Sequence, residues 1–263
     1  MDILRPATIS EALQAAASPG GAYLGGGTWL GALRSGQPRL LVSLERLGLD
    51  HIRCEGMVCA IGATVSFQQI LDGPRIPQAV RHAVVQTASR TLRTMVTLGG
   101  ELALLPQQSA LVPVLVALDA RLLLAGRKRP IEVAEYCRSR PPGLILEASI
   151  PDGSLPCAVR CISRTSHSRR SLVVAVSARS LSPAASRVRV VVSDCGGQIL
   201  RLSGFEKALE GAALPPKDRL EAMVRGAFTP LADMHASAAY KAYMAGVFAA
   251  DILHELAGKG AGQ

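Results

Sequence analysis

At 263 residues with 49% hydrophobic content, the chain has material for one large core or two modest ones. Its formal charge of +9 would suit a nucleic-acid partner, but only 3% of residues are aromatic and none alternates with the basic ones, which argues against a base-stacking surface. The first twenty residues carry Asp2, Arg5 and Glu11 without a signal-like apolar run, and no uninterrupted apolar stretch reaches about 18 residues, so neither export nor a membrane span is indicated and the cytoplasm is expected.

In chain order, Thr8-Ile9-Ser10-Glu11 has capping-box spacing and starts a helix near residue 9. A short strand, Ala22 to Leu24, runs into three glycines, Gly25, Gly26 and Gly27. Further strands are expected at Leu40 to Leu44 and Met57 to Ile61, then a short helix within "SFQQILDG". A helix from Gln78 to Leu92 would place Val80, Val84 and Ala88 on one face. The predicted order continues with a loop at Gly99-Gly100, an apolar helix from Ser109 to Leu118, a strand from Ala120 to Leu124, a short helix from Glu132 to Arg138 and a strand in "GLILEASIP". "PDGSLP" reads as an exposed connector, which puts a boundary near residue 155. Beyond it come two strands, a hairpin turning at Cys195-Gly196-Gly197, and helices at Gly204 to Leu209, Lys217 to Arg225 and Ser237 to Leu256. Strands followed by helices define an α+β module.

The glycine elements carry the chemistry. From Gly25 and Gly27 the third glycine of a dinucleotide fingerprint would fall at Leu30, and a P-loop from Gly26 reaches Ala32 and Leu33 instead of lysine and a hydroxyl residue. What survives is a loop of residues without Cβ that can aim several N–H groups at one anion, or simply a turn. Thr97-Leu98-Gly99-Gly100 is a second such element, and two loops can hold two phosphates; a pyrophosphate is one ligand that needs both.

Other patterns fail on spacing. After Cys54 and Cys59 the next cysteine of a plant-type iron–sulfur site would be Gly62, so no cluster is expected in this chain and the six cysteines read as reduced, mostly buried thiols. His254-Glu255 lacks the second histidine of a zincin, since position 258 is Gly258. Neither a metal site nor a catalytic side chain emerges. The basic run from Arg160 to Arg170 stays open between a solvated face, an acidic partner and an anionic cofactor.

Taken together in order, "LGGGTWL", "IGATVSFQQIL", "TLGGELALLPQQSALVPVLVALDA", "LILEASIP" and the pair Arg160 and Arg164 resemble the flavin subunit of the molybdenum hydroxylases, as in xanthine dehydrogenase and carbon monoxide dehydrogenase. The resemblance implies an FAD-binding domain of the vanillyl-alcohol-oxidase type over 1–155, in two parts of roughly 1–55 and 56–155, and a smaller α+β domain over 156–263. It implies FAD contacts at Leu24, Gly25, Gly26, Gly27, Thr28, Trp29 and Leu30, then at Thr97, Gly99, Gly100, Glu101 and Leu104, with Ile145 and Arg160 near the flavin ring. Its implied partners are a molybdopterin-binding subunit and a [2Fe-2S] subunit or domain, with electrons passing through FAD to an acceptor such as NAD. Three positions depart from the family pattern: Trp29 replaces a short polar residue, Glu101 an asparagine and Ala110 an aspartate. A carboxylate at 101 beside a pyrophosphate would be repulsive unless a cation or a rotated side chain relieved it. The second reading is therefore an assembly subunit that keeps the fold and has lost FAD.

Overall fold

The computed structural model describes residues 2–33, 35–36, 38–165, 170–194 and 198–260. Its elements run β1 (Asp2–Leu4), α1 (Ile9–Ala16), β2 (Gly21–Leu24), β3 (Leu40–Ser43), β4 (Ile52–Glu55), β5 (Val58–Gly62), α2 (Phe67–Asp72), α3 (Gln78–Thr87), α4 (Arg90–Arg93), α5 (Leu98–Leu104) and α6 (Leu111–Ala117). They continue with β6 (Arg121–Leu124), β7 (Ile131–Glu132), α7 (Val133–Ser139), β8 (Ile145–Ile150), β9 (Cys157–Ser163), β10 (Arg170–Ser177), β11 (Arg189–Asp194), β12 (Ile199–Arg201), α8 (Ser203–Leu209), α9 (Lys217–Ala227) and α10 (Ala238–Gly260).

The chain forms two compact units that are interleaved in sequence: Met1–Ile76, Ala88–Leu105 and Ala120–Pro151 make the first, and Pro77–Thr87, Pro106–Asp119 and Asp152–Gln263 the second. The first unit holds two sheets. In one, β3 pairs in parallel with β1 on one side and β2 on the other. Helix α1 covers this sheet, its Ala12 buried with Val42, Leu44 and Leu144. The capping box expected at the start of α1 is half formed: Glu11 N–H donates to Thr8 Oγ1 at 3.2 Å, but Glu11 Oε2 accepts from Ala7 N–H, at 2.9 Å, rather than from the N-cap residue itself. The other sheet is antiparallel, in the order β4-β5-β8-β6-β7.

The second unit is built on an antiparallel sheet in the order β12-β11-β10-β9. All eight residues of β10 are buried, because side-chain alternation sends its two faces into different cores. Leu172, Val174 and Val176 join Ala245, Ala249, Ile252 and Leu253 of α10. On the opposite face Ser177 Oγ donates to the Ala117 carbonyl of α6 at 2.6 Å. Helix α6 is apolar throughout, and all seven of its residues are buried, as expected for a helix packed on more than one side.

Four expectations need correction. The helix read from Gln78 to Leu92 ends at Thr87, since Ser89 caps the separate α4 by accepting from Leu92 N–H at 3.4 Å. Gly99 and Gly100 are not a loop but lie in the first turn of α5. Cys54 and Cys59 are not reduced thiols: they face each other directly across the β4–β5 ladder and are joined by a disulfide. Strands β1, β4 and β7, of three, four and two residues, were not expected. The turn expected at Cys195-Gly196-Gly197 lies outside the described residues.

Candidate functional site

The first glycine loop follows β2 at the end of the parallel sheet and passes into a single 3-10 turn, Leu30–Ala32, closed by Ala32 N–H on the Trp29 carbonyl at 3.0 Å and Leu33 N–H on the Leu30 carbonyl at 3.3 Å, while Gly31 N–H donates to the Gly27 carbonyl at 2.8 Å. Gly27 sits at φ +71, a conformation that glycine adopts without strain. Gly26 answers to a different need: a Cβ built on it would lie 1.5 Å from the Met95 carbonyl oxygen. A Cβ on Gly25 would lie 2.8 Å from Thr97 Oγ1. The triplet therefore serves both a turn and a close approach, and what it approaches is the second glycine element. The two loops that the sequence singles out meet in the folded chain.

The N–H groups of the two loops are used differently. In the second, Leu98 N–H donates to the Val65 carbonyl at 2.9 Å, Gly99 N–H to Ala63 at 2.8 Å and Glu101 N–H to Thr97 at 3.0 Å. Gly100 N–H completes the N-cap on Thr97 Oγ1 at 3.2 Å. In the first loop the pattern is reversed. Among the described residues, no protein acceptor takes the N–H of Gly25, Gly26, Gly27, Thr28 or Trp29. Five successive amides without a protein acceptor, in a half-exposed glycine turn, are donors available to an anion.

A platform under the second loop was missed at the sequence level. Gly99 packs so tightly on Ala63 that a Cβ would lie 2.7 Å from the Ala63 Cβ, and Ala63 N–H donates to the Leu146 carbonyl at 2.9 Å. Phe67 N–H likewise donates to Val96 at 2.9 Å. The "IGATVSF" segment thus fastens α5 to β8. The motif itself was the available signal; its role depends on partners distant in sequence, from Val96 to Leu146, which no local pattern reveals.

The remaining predicted residues fall in different places. Glu101 is 6% exposed and shares the buried face of α5 with Leu98 and Leu102, at positions i, i+3 and i+4. Its side chain is thus on the packed side of the helix, whereas Gly100 is exposed and Leu104 half-buried. Ile145 is buried in β8, opposite Leu124 of β6 and one residue from the Leu146 carbonyl that anchors Ala63. Arg160 belongs to the second unit, where it pairs with Asp251 at 2.9 Å and with Glu255, both on α10. Lys217 also binds Asp251, at 2.8 Å, and the lysine hydrogen bond with the two cations holds this carboxyl below its usual range. Ala110 supplies no side-chain cap to α6; Ser109 serves instead, its Oγ accepting from Val112 N–H at 3.2 Å. Burial pushes the thiol of Cys137 up to about 11 and those of Cys157 and Cys161 up to about 12, so these cysteines are poor nucleophiles near neutrality. Among the described residues no group of three or more His, Cys, Asp or Glu could hold a metal ion, and no helix is long and apolar enough to cross a membrane.

Fold and loop together define an α+β protein whose first unit carries a glycine loop of open backbone amides. Comparison with known proteins gives this class a family. A model described as "FAD binding domain in molybdopterin dehydrogenase" matches residues 1–152. The chain is 34% identical over 215 residues to the uncharacterized protein YgfM of Escherichia coli strain K12, covering 81% of this chain and 79% of that protein. Its fold is that of one chain of the reconstituted CO dehydrogenase from Oligotropha carboxidovorans, with a TM-score of 0.87, 22% identity and 98% of each chain covered. It also matches a chain of quinoline 2-oxidoreductase from Pseudomonas putida 86, with a TM-score of 0.86, 17% identity, and 98% and 97% of the two chains covered. The chain belongs to the family of FAD-binding domains of molybdopterin dehydrogenases, and the vanillyl-alcohol-oxidase-type fold followed by a smaller α+β part, expected from its motifs, is the fold it has.

Proposed function

We propose that this chain is the FAD-binding electron-transfer subunit of a molybdenum hydroxylase complex. One observation carries the reading: the run of five open N–H groups from Gly25 to Trp29, in the unit that matches the FAD-binding family. The donors fit the group, because a pyrophosphate takes several backbone hydrogen bonds at once and asks for no particular side chain. When bound, FAD supplies the redox chemistry; the protein supplies binding, orientation and electrostatics. In this chain Gly25 to Trp29 would hold the pyrophosphate. Gly26 keeps the loop seated on the Met95 backbone, while Thr97 and α5, pinned by Ala63 and Val65, form its rigid floor. No side chain need act as nucleophile or proton carrier.

The finer parts of the proposal concern the complex. Substrate oxidation would belong to a molybdopterin-binding partner of the xanthine dehydrogenase type, and [2Fe-2S] clusters in a partner subunit or domain would deliver electrons to FAD. NAD is the proposed final acceptor and the cytoplasm the proposed location. Residues 1–155 would form the cofactor-binding part and 156–263 the C-terminal part.

An assembly subunit without FAD is the second reading. It is favoured by the second loop, where the N–H groups of Leu98 to Glu101 already have protein acceptors. Visible absorption of the purified chain, alone and with added FAD, separates the two. Flavin bands that survive gel filtration support the first reading, and their absence even with the co-expressed partners supports the second. Thr28→Asp places a negative charge among the open amides at a position that already carries a side chain. It is expected to abolish flavin retention while leaving the melting temperature within about 2 °C, a shift corresponding to less than roughly 1 kcal/mol for a chain of this size.

A further inference from the structure

Exposed apolar side chains occur on the first glycine loop and on the segment it packs against. Trp29, the only tryptophan of the chain, contributes one of the open N–H groups, yet its side chain is 54% exposed. Two more large apolar side chains stand exposed on the segment against which the loop packs, Leu92 at 46% and Met95 at 49%. The Met95 carbonyl is the group that would collide with a Cβ on Gly26, so this segment and the loop are in direct contact. Single exposed apolar residues need no explanation, whereas three on two segments in contact call for one.

We infer that Trp29, Leu92 and Met95 form a shelf for the face of a heteroaromatic ring whose phosphate is held by Gly25 to Trp29. The inference rests on the FAD reading above and adds to it a specificity role for side chains. An inorganic anion would be served by the amides alone and gains nothing from an exposed indole. A nucleotide presents a phosphate and a planar ring a few bonds apart, and so fits donors and shelf together. The same logic gives position 29 its meaning: a short polar residue leaves the ring to other contacts, and an indole offers the largest π surface a protein has.

The test uses the full chain freed of flavin, with dissociation constants measured for FAD, FMN, ADP and inorganic pyrophosphate. Trp29→Ala is expected to weaken FAD about tenfold, the order expected from the loss of one aromatic contact. Trp29→Phe should stay within about threefold, and the pair Leu92→Ser with Met95→Ser should follow the alanine variant. Pyrophosphate binding should not change in any of them. Of FMN and ADP, the one that responds to Trp29→Ala carries the ring that lies on the shelf. Unchanged FAD affinity in Trp29→Ala overturns the shelf while leaving FAD binding intact, as does indifference of both FMN and ADP. Equal weakening of pyrophosphate also overturns it, because Trp29 would then act on loop shape alone. A wild-type chain that binds neither FAD nor pyrophosphate overturns the FAD reading itself, and the shelf falls with it.

Discussion

At the scale of single residues, the loop contacts make Gly26 the least replaceable position of the site. Gly26→Ala puts a methyl group 1.5 Å from a backbone oxygen that is fixed by its neighbours, so the loop must leave its seat. Overpacking of this kind costs about 1–3 kcal/mol, which thermal denaturation should read as a drop of roughly 3–10 °C, with flavin retention lost as well. The cysteines provide a second check. Thiol titration of the denatured chain should find two more groups after reduction than before, from the Cys54–Cys59 bridge. In the native chain Cys157 and Cys161 should resist alkylation at pH 8, where a thiol near 12 is about one part in ten thousand thiolate. How far the site was legible also shows here. The glycines of both loops stand out in the sequence because a lost Cβ is a local fact. The Met95 carbonyl they pack against does not, since any residue can offer one and only the fold brings it there. The burial of Glu101 was likewise hidden as long as Gly99 and Gly100 were read as a loop: a carboxylate has a packed or an open side only once its helix is known.

At the scale of elements, apolar content marked α6 and β10, whose residues are all buried, and the apolar face of α10 marked that helix. Ser89 shows where patterning stops. The alternation expected of one long helix continues through residue 92, but a hydroxyl that accepts Leu92 N–H starts a new helix there. The Arg160 cluster joins β9 to α10 and, through Asp251 and Lys217, α9 to α10. Because these side chains are partly exposed, Arg160→Ala should cost only about 1 kcal/mol. The same variant tests the implied role of Arg160 near a flavin ring, since an unaltered flavin spectrum would confine it to α10. The pH dependence has a definite sign. The Asp251 carboxyl is lowered in the folded chain, so its contribution is present above the unfolded value of about 3.9 and is lost as the pH falls through the folded one. Asp152 acts in the same direction. Burial alone would raise its carboxyl, but the bonds from Ser154 and the nearby Arg179 and Arg187 hold it below the usual range. Asp152→Asn with Asp251→Asn should therefore flatten the fall in melting temperature between about pH 5 and pH 3.

At the scale of the whole molecule, the two compact units do not follow one another along the chain. Helices α3 and α6 are encoded between segments of the first unit and count with the second. A reading from left to right expects domains in succession, and nothing in the composition of Leu111 to Ala117 says which sheet it will cover. The expected outcome for a fragment of residues 152–263 is insolubility or strong binding of a hydrophobic dye, because the α6 side of β10 would be bare. Adding 77–119 should restore a soluble, cooperatively melting species. Light scattering and calorimetry on the two fragments check this.

The interleaving has a counterpart in time. Helix α6 leaves the ribosome complete at Ala117, but β10, whose buried face it covers, begins only at Arg170. At about 5–20 residues per second the ribosome needs several seconds to make the intervening segment and the strand. Throughout that interval the most apolar helix of the molecule has no sheet to rest on, and the nascent chain is then an aggregation hazard or a chaperone client. Synonymous codon changes that slow translation between residues 118 and 177 should lower the soluble yield without altering the protein that folds.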